Sequence, residues 1–180
     1  MLLGADRTGK STLIENTIKS FPEWVYGKSW HFTAPKIKTN PMQQYEDFLK
    51  LPFEDRGVDY VFMDRGFPET VFYEEYRCGN KIPMSEMIRM HNLFEARFNI
   101  FVPTIIYRSW NEILPGHLEE IANGINHDES RESPNLDDRR AEYEAYYEFM
   151  DKYVGMFPVS VNVLINPKID QLLVPREKHI

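Results

Sequence analysis

Apolar residues recur along this chain at two spacings, and the alternation between them outlines the fold. Met1-Leu2-Leu3 is a short apolar run that leads into a polar loop opened by Gly4. From Ser11 to Ser20, Leu13, Ile14, Thr17 and Ile18 share one side of a helix, which Phe21-Pro22 stops because proline cannot continue it. Trp30-His31-Phe32 reads as a second strand. Pro41 opens a helical stretch through Leu51, at a first-turn position where its missing N–H costs nothing. Tyr60 to Met63 is an apolar run bounded by charge, which suits a strand buried on both faces.

Helical spacing returns from Glu69 to Arg77 and from Ser85 to Phe98, with Cys78 to Pro83 as the break. Pro103 to Tyr107 and Val159 to Ile165 read as the fourth and fifth strands, and Leu136 to Val154 as a long helix rich in tyrosine. The segment from Pro115 to Pro134 is polar, contains Gly116 and Gly124 and lacks a sustained period, so it reads as a partly mobile flap. Strands alternating with helices specify an α/β fold with a parallel sheet wrapped by helices, here one domain over 1–180.

Composition narrows the partners. The net charge of −7 argues against a nucleic-acid groove or an anionic membrane surface, both of which call for clustered Lys and Arg. No apolar run approaches the roughly 20 residues of a membrane span, a single cysteine, Cys78, cannot form an internal disulfide, and nothing resembles a signal peptide. A cytoplasmic protein is expected. The five histidines show no zinc-ligand spacing. Only three residues precede the loop, where a strand of roughly five is usual; either the natural strand is longer or three residues suffice.

Gly4-Ala5-Asp6-Arg7-Thr8-Gly9-Lys10-Ser11 fits the phosphate-loop pattern G-x-x-x-x-G-K-[ST] at every fixed position, between an apolar stretch and an amphipathic helix. Glycines let the backbone curl its N–H groups towards phosphates, and the helix N-terminus adds partial positive charge. Lys10 would bridge the β- and γ-phosphates of a nucleoside triphosphate, Ser11 would ligate Mg²⁺, and Arg7 would set a cation beside the transferred phosphate. Asp64-Arg65 follows the apolar strand directly, at the carboxyl end where parallel sheets place ligands. Asp64 would hold Mg²⁺ through water or accept the proton of the attacking oxygen, and Arg65 would grip an anionic acceptor. The plainer reading of that pair is a salt-bridged loop.

Gly4 to Thr12, then His31 to Pro35, then Asp64-Arg65-Gly66 with Glu69, Tyr73 and Arg77 together resemble the thymidylate-kinase-like nucleotide kinases, especially the small members that bacteriophages encode. The resemblance covers most of the first half of the chain and fades to element order beyond about Ile100. It implies a three-layer P-loop fold with a five-stranded parallel sheet in the order 2-3-1-4-5 and a lid, here roughly residues 115–135. It also implies transfer of the γ-phosphoryl of ATP, with Mg²⁺, to a deoxynucleoside monophosphate, in the cytoplasm or, for a viral protein, the host cytoplasm. Members often form homodimers.

Carried over by residue, the resemblance makes Gly4, Asp6, Arg7, Thr8, Gly9, Lys10, Ser11 and Thr12 the triphosphate loop, with Ser11 and Asp64 at the metal. Arg65 becomes the clamp on the acceptor phosphate, Phe32 an aromatic platform for its base, and Glu69, Tyr73 and Arg77 one helix face towards the same cleft. Arg131 stands roughly where the family carries its lid arginine, with Arg139 and Arg140 as competitors, and Asn166-Pro167-Lys168 falls where adenine packs. Two other functions stay open. A deoxynucleoside kinase would need fewer acceptor cations than Arg65, Arg77 and Arg97 supply, and a nucleotide-binding module would bind without turnover.

Overall fold

Successive side chains of a strand leave opposite faces of its sheet, so even a two-residue strand can serve two cores. The computed structural model describes residues 1–20, 30–31, 40–53, 61–123 and 133–168. Along them run β1 (Leu2–Leu3), α1 (Lys10–Ser20), β2 (Trp30–His31), α2 (Gln43–Leu49), β3 (Met63–Asp64), α3 (Phe67–Cys78), α4 (Met84–Arg97), β4 (Thr104–Tyr107), α5 (Trp110–Ala122), α6 (Leu136–Met156) and β5 (Asn162–Ile165). All pairings are parallel, in the order β2-β3-β1-β4-β5, and Leu2 lies opposite Asp64 on one side and Thr104 on the other.

The pleat divides the core. Leu2, Phe62 and Ile106 face α1 and pack with Leu13 and Ile14, whereas Leu3, Met63 and Ile105 face the larger cluster built by α2, α3, α4 and α6. Helices therefore flank the sheet on both faces. The larger cluster is aromatic: Tyr45, Phe48, Phe67, Phe94, Tyr146 and Tyr153 are fully buried. The tyrosines of α6 pack within the chain, and their hydroxyls find acceptors as they enter the core. Tyr143 donates to the Arg108 carbonyl, Tyr146 to Glu69 and Tyr147 to the Ile106 carbonyl, each at 2.8 Å.

Two expectations need correction. The stretch from Pro115 is not an irregular flap up to residue 122, because α5 runs through it. Ser109 and Glu112 form a capping box that satisfies the first N–H groups, and the helix tolerates the bond lost at Pro115. Ile113, His117 and Glu120 supply its buried face at helical spacing; the 3.6-residue period was present but carried by a histidine and a glutamate. The fifth strand is shorter than expected, since Val159 is 97% exposed and pairing begins only at Asn162.

His91 is buried on α4, stacks on Phe157 with centroids 3.6 Å apart, and sets Nδ1 2.8 Å from the Tyr153 hydroxyl and Nε2 3.2 Å from Glu95. Burial lowers its pKa, against the opposing pull of Glu95. The unfolded chain therefore takes up this proton at higher pH than the folded one. The stabilisation is complete above the unfolded value and is lost as pH falls through it towards the folded value. Urea midpoints should drop between about pH 7.5 and about pH 5.5, and His91→Gln should flatten that part of the slope.

Candidate functional site

Parallel pairing delivers the chain leaving β1 and the chain leaving β3 to the same edge of the sheet. The first of these, residues 4–9, turns back on itself: Arg7 has φ 68° and Gly9 φ 84°, both left-handed. Glycine takes that conformation freely, whereas a non-glycine residue there costs on the order of 1 kcal/mol or more. Gly4 meets a different limit, because a methyl group on it would lie 2.7 Å from Thr8 Oγ1 and 2.9 Å from the Ile106 carbonyl oxygen. Thr8 Oγ1 donates to the Ala5 carbonyl at 2.8 Å and closes the loop.

Lys10 opens α1 with its side chain almost wholly buried, its ammonium donating to the Gly4 and Ala5 carbonyls. The first N–H groups of α1, which follow the loop directly, have no intrahelical acceptor. Ser11 Oγ donates to Asp64 Oδ2 at 2.6 Å, joining positions 53 residues apart in the chain. Two hard oxygens so placed suit Mg²⁺, which keeps several waters and shares phosphate oxygens. Among the described residues no group of three or more His, Cys, Asp or Glu side chains could hold a metal alone.

Asp6 is the point at which cations meet. Arg65, also left-handed at φ 73°, donates to Asp6 Oδ1 at 2.8 Å, and Arg77 reaches Asp6 Oδ2 at 3.6 Å. Both guanidiniums lie over the Tyr73 ring, 4.3 Å away for Arg77 and 5.9 Å for Arg65. Arg77 also makes a double hydrogen bond to Glu142. Burial opposes the charge on Arg65, but Asp6, Glu69 and Asp64 more than offset this and keep it a cation. Ala5, Asp6, Tyr73, Arg77, Glu142 and Tyr146 contribute to the wall of a cavity of about 340 Å³, which His117, Asp138, Arg139 and Tyr143 help to line.

On the α5 side, Glu120 takes Arg7 on Oε1 and Arg139 on Oε2, both at 2.8 Å. Burial works against its ionisation, but these two arginines prevail and hold its carboxyl below the usual range. Arg139 also lies 3.1 Å from His117 Nδ1, and His117 stacks on Trp110. Arg140 instead pairs with Glu144 along the exposed face of α6, so of these two candidates only Arg139 reaches the cavity.

Two expectations were misplaced, and others concern residues the structure does not describe. Glu69 lies beneath the loop, not on the cavity wall: its Oε1 accepts the Gly4 N–H at 3.0 Å and the Tyr146 hydroxyl at 2.8 Å, and Lys10 Nζ is 3.9 Å away. Burial pushes its carboxyl above the ordinary range despite Lys10 and Arg65 nearby. Arg97 is remote from the site. Its guanidinium caps the end of α2, donating to the Leu49 and Leu51 carbonyls. Phe32, Thr33-Ala34-Pro35, Arg131 and residues 124–132 of the expected lid lie outside the described residues.

Arg108 is a site-side residue that the sequence patterns did not single out. It leaves β4 and donates to the Thr8 carbonyl at 2.9 Å and the Pro167 carbonyl at 2.6 Å, tying the loop to the turn after β5. A lone arginine after a strand carries no periodic signal; only its position at the carboxyl edge could have marked it. No helix among the described residues is long and apolar enough to cross a membrane. Comparison of the sequence with protein-family models and with curated proteins found no match.

Gly4→Ala should lower stability by about 1–3 kcal/mol, since the added carbon meets a backbone carbonyl that cannot rotate away. A melting temperature equal to the wild type would show that this loop shifts without cost.

Proposed function

We propose that the chain is a P-loop phosphotransferase that moves the γ-phosphoryl of ATP to a deoxynucleoside monophosphate. The observation that carries this reading is the 2.6 Å hydrogen bond from Ser11 to Asp64, which unites the loop pattern and the Asp-Arg pair at one sheet edge. In this reading Lys10 leaves the Gly4 and Ala5 carbonyls to meet the β- and γ-phosphates, with the loop N–H groups and the start of α1 around them. Ser11 and Asp64 hold Mg²⁺, which when bound neutralises charge on the phosphate oxygens.

The acceptor occupies the cavity between the loop, α3, α5 and α6. Arg77 holds its phosphate from the cavity wall and Arg65 from behind Asp6, to which it is bonded, and Tyr73 keeps both guanidiniums in place by lying under them. Two polyanions repel, so catalysis consists mainly of supplying fixed positive charge and exact alignment at the moment of transfer. The alternative role for Asp64 is to take the proton of the attacking oxygen instead of holding the metal.

A nucleoside acceptor is the second reading, and one observation favours it. The cavity wall carries three carboxylates, Asp6, Asp138 and Glu142, against two arginines, Arg77 and Arg139. With Arg97 committed to α2, the surplus of acceptor cations is smaller than the sequence suggested.

Incubation with Mg·ATP and each deoxynucleoside monophosphate, then each deoxynucleoside, separates the readings by chromatography of ADP and product. A diphosphate product supports the first and a monophosphate the second; ATP binding without product would favour a binding module. Lys10→Ala should cost roughly a hundredfold or more in kcat, and full activity in that variant would sink the assignment. Arg65→Ala should raise the acceptor KM about tenfold with the ATP KM unchanged; an effect confined to ATP would move Arg65 out of the acceptor site.

A further inference from the structure

Arg7 reaches from the loop to α5. Its backbone is left-handed, its aliphatic stem passes 3.7 Å from where a first side-chain carbon would stand on Gly116, and its guanidinium ends 2.8 Å from Glu120. Gly116 and Glu120 are four apart and so share a helix face. The stem of Arg7 thus lies alongside the backbone of α5 at Gly116, and the carboxylate one turn further on takes its charged end. Glu120 is 5% exposed and Arg7 42%, so the anchor is buried while the cation it holds still faces solvent at the mouth of the loop.

We propose that Glu120 is a positioning residue, acting through Arg7, that holds the guanidinium beside the loop in the orientation a bound triphosphate requires. The role rests on the phosphotransferase reading. A flexible arginine must lose its rotamer freedom when it engages a phosphate, and a carboxylate that has already ordered it removes that cost before the ligand arrives. Glu120 serves two cations at once, since Arg139 occupies its other oxygen. The same carboxylate therefore joins the loop to α6, and its role through Arg7 must be separated from a role through Arg139.

A double-mutant cycle makes that separation. Glu120→Gln, Arg7→Ala and the double variant are compared in kcat, in both KM values and in the Kd for Mg·ATP by calorimetry, alongside Glu120→Gln in an Arg139→Lys background; thermal melts confirm folding. Glu120→Gln should lower kcat about tenfold and weaken Mg·ATP about fivefold, leave the acceptor KM within about twofold, and add nothing in the Arg7→Ala background. Three results overturn the proposal: multiplying effects of the two substitutions, coupling to Arg139 rather than Arg7, or faster turnover or tighter ATP binding in Glu120→Gln. Should the wild type bind ATP but transfer nothing, the kinase reading fails and the Kd cycle alone still decides the role of Glu120. Absence of ATP binding removes both.

Discussion

One carboxylate oxygen joins three elements beneath the loop. Glu69 Oε1 accepts the Gly4 N–H where the chain leaves β1 and the Tyr146 hydroxyl from α6, while its own backbone belongs to α3. Gly4 cannot carry a side chain there, Thr8 closes over it, and Lys10 starts α1 with its ammonium folded onto the same carbonyls. If Glu69 moved, the Gly4 N–H and the Tyr146 hydroxyl would lose the acceptor they share. Burial favours the neutral form of this carboxyl, and the two donors together with Lys10 are what make its position tolerable.

Above that floor the site is a set of arginines, each met by a carboxylate from another element. Asp6 on the loop meets Arg65 after β3 and Arg77 on α3; Glu142 on α6 meets Arg77; Glu120 on α5 meets Arg7 and Arg139. Such pairs contribute little net stability when exposed, and more of their value lies in orientation when partly buried. Their arrangement keeps cations ordered and close together without their mutual repulsion opening the fold, which supports the polyanion binding proposed above.

Much of the architecture was legible because its signals are local. Leu13, Ile14 and Thr17 on α1 and the tyrosines of α6 repeat at helical spacing, and the strands are short apolar runs at predictable intervals. The α5 helix was missed because Pro115 and Gly116 are breakers by type, while the residues that hold it are a capping box at Ser109 and Glu112 and a buried face built from Ile113, His117 and Glu120. Polar residues that enter a core through mutual pairing defeat hydrophobic periodicity.

The loop from Gly4 to Ser11 could be read from the sequence alone because its parts are contiguous: left-handed turns, glycine and a helix start depend on near neighbours. Asp64-Arg65 was legible for the same reason, as a charged pair ending an apolar run. Only the tertiary structure decided which charges meet. With 21 basic and 28 acidic residues the chain permits many pairings, and spacing cannot rank them. Packing placed Glu69 under the loop, sent Arg97 to cap α2, put Arg108 between two loops and gave Glu120 to Arg7 and Arg139. Those contacts join residues far apart in sequence, and their geometry exists only once the sheet has brought its carboxyl edge together.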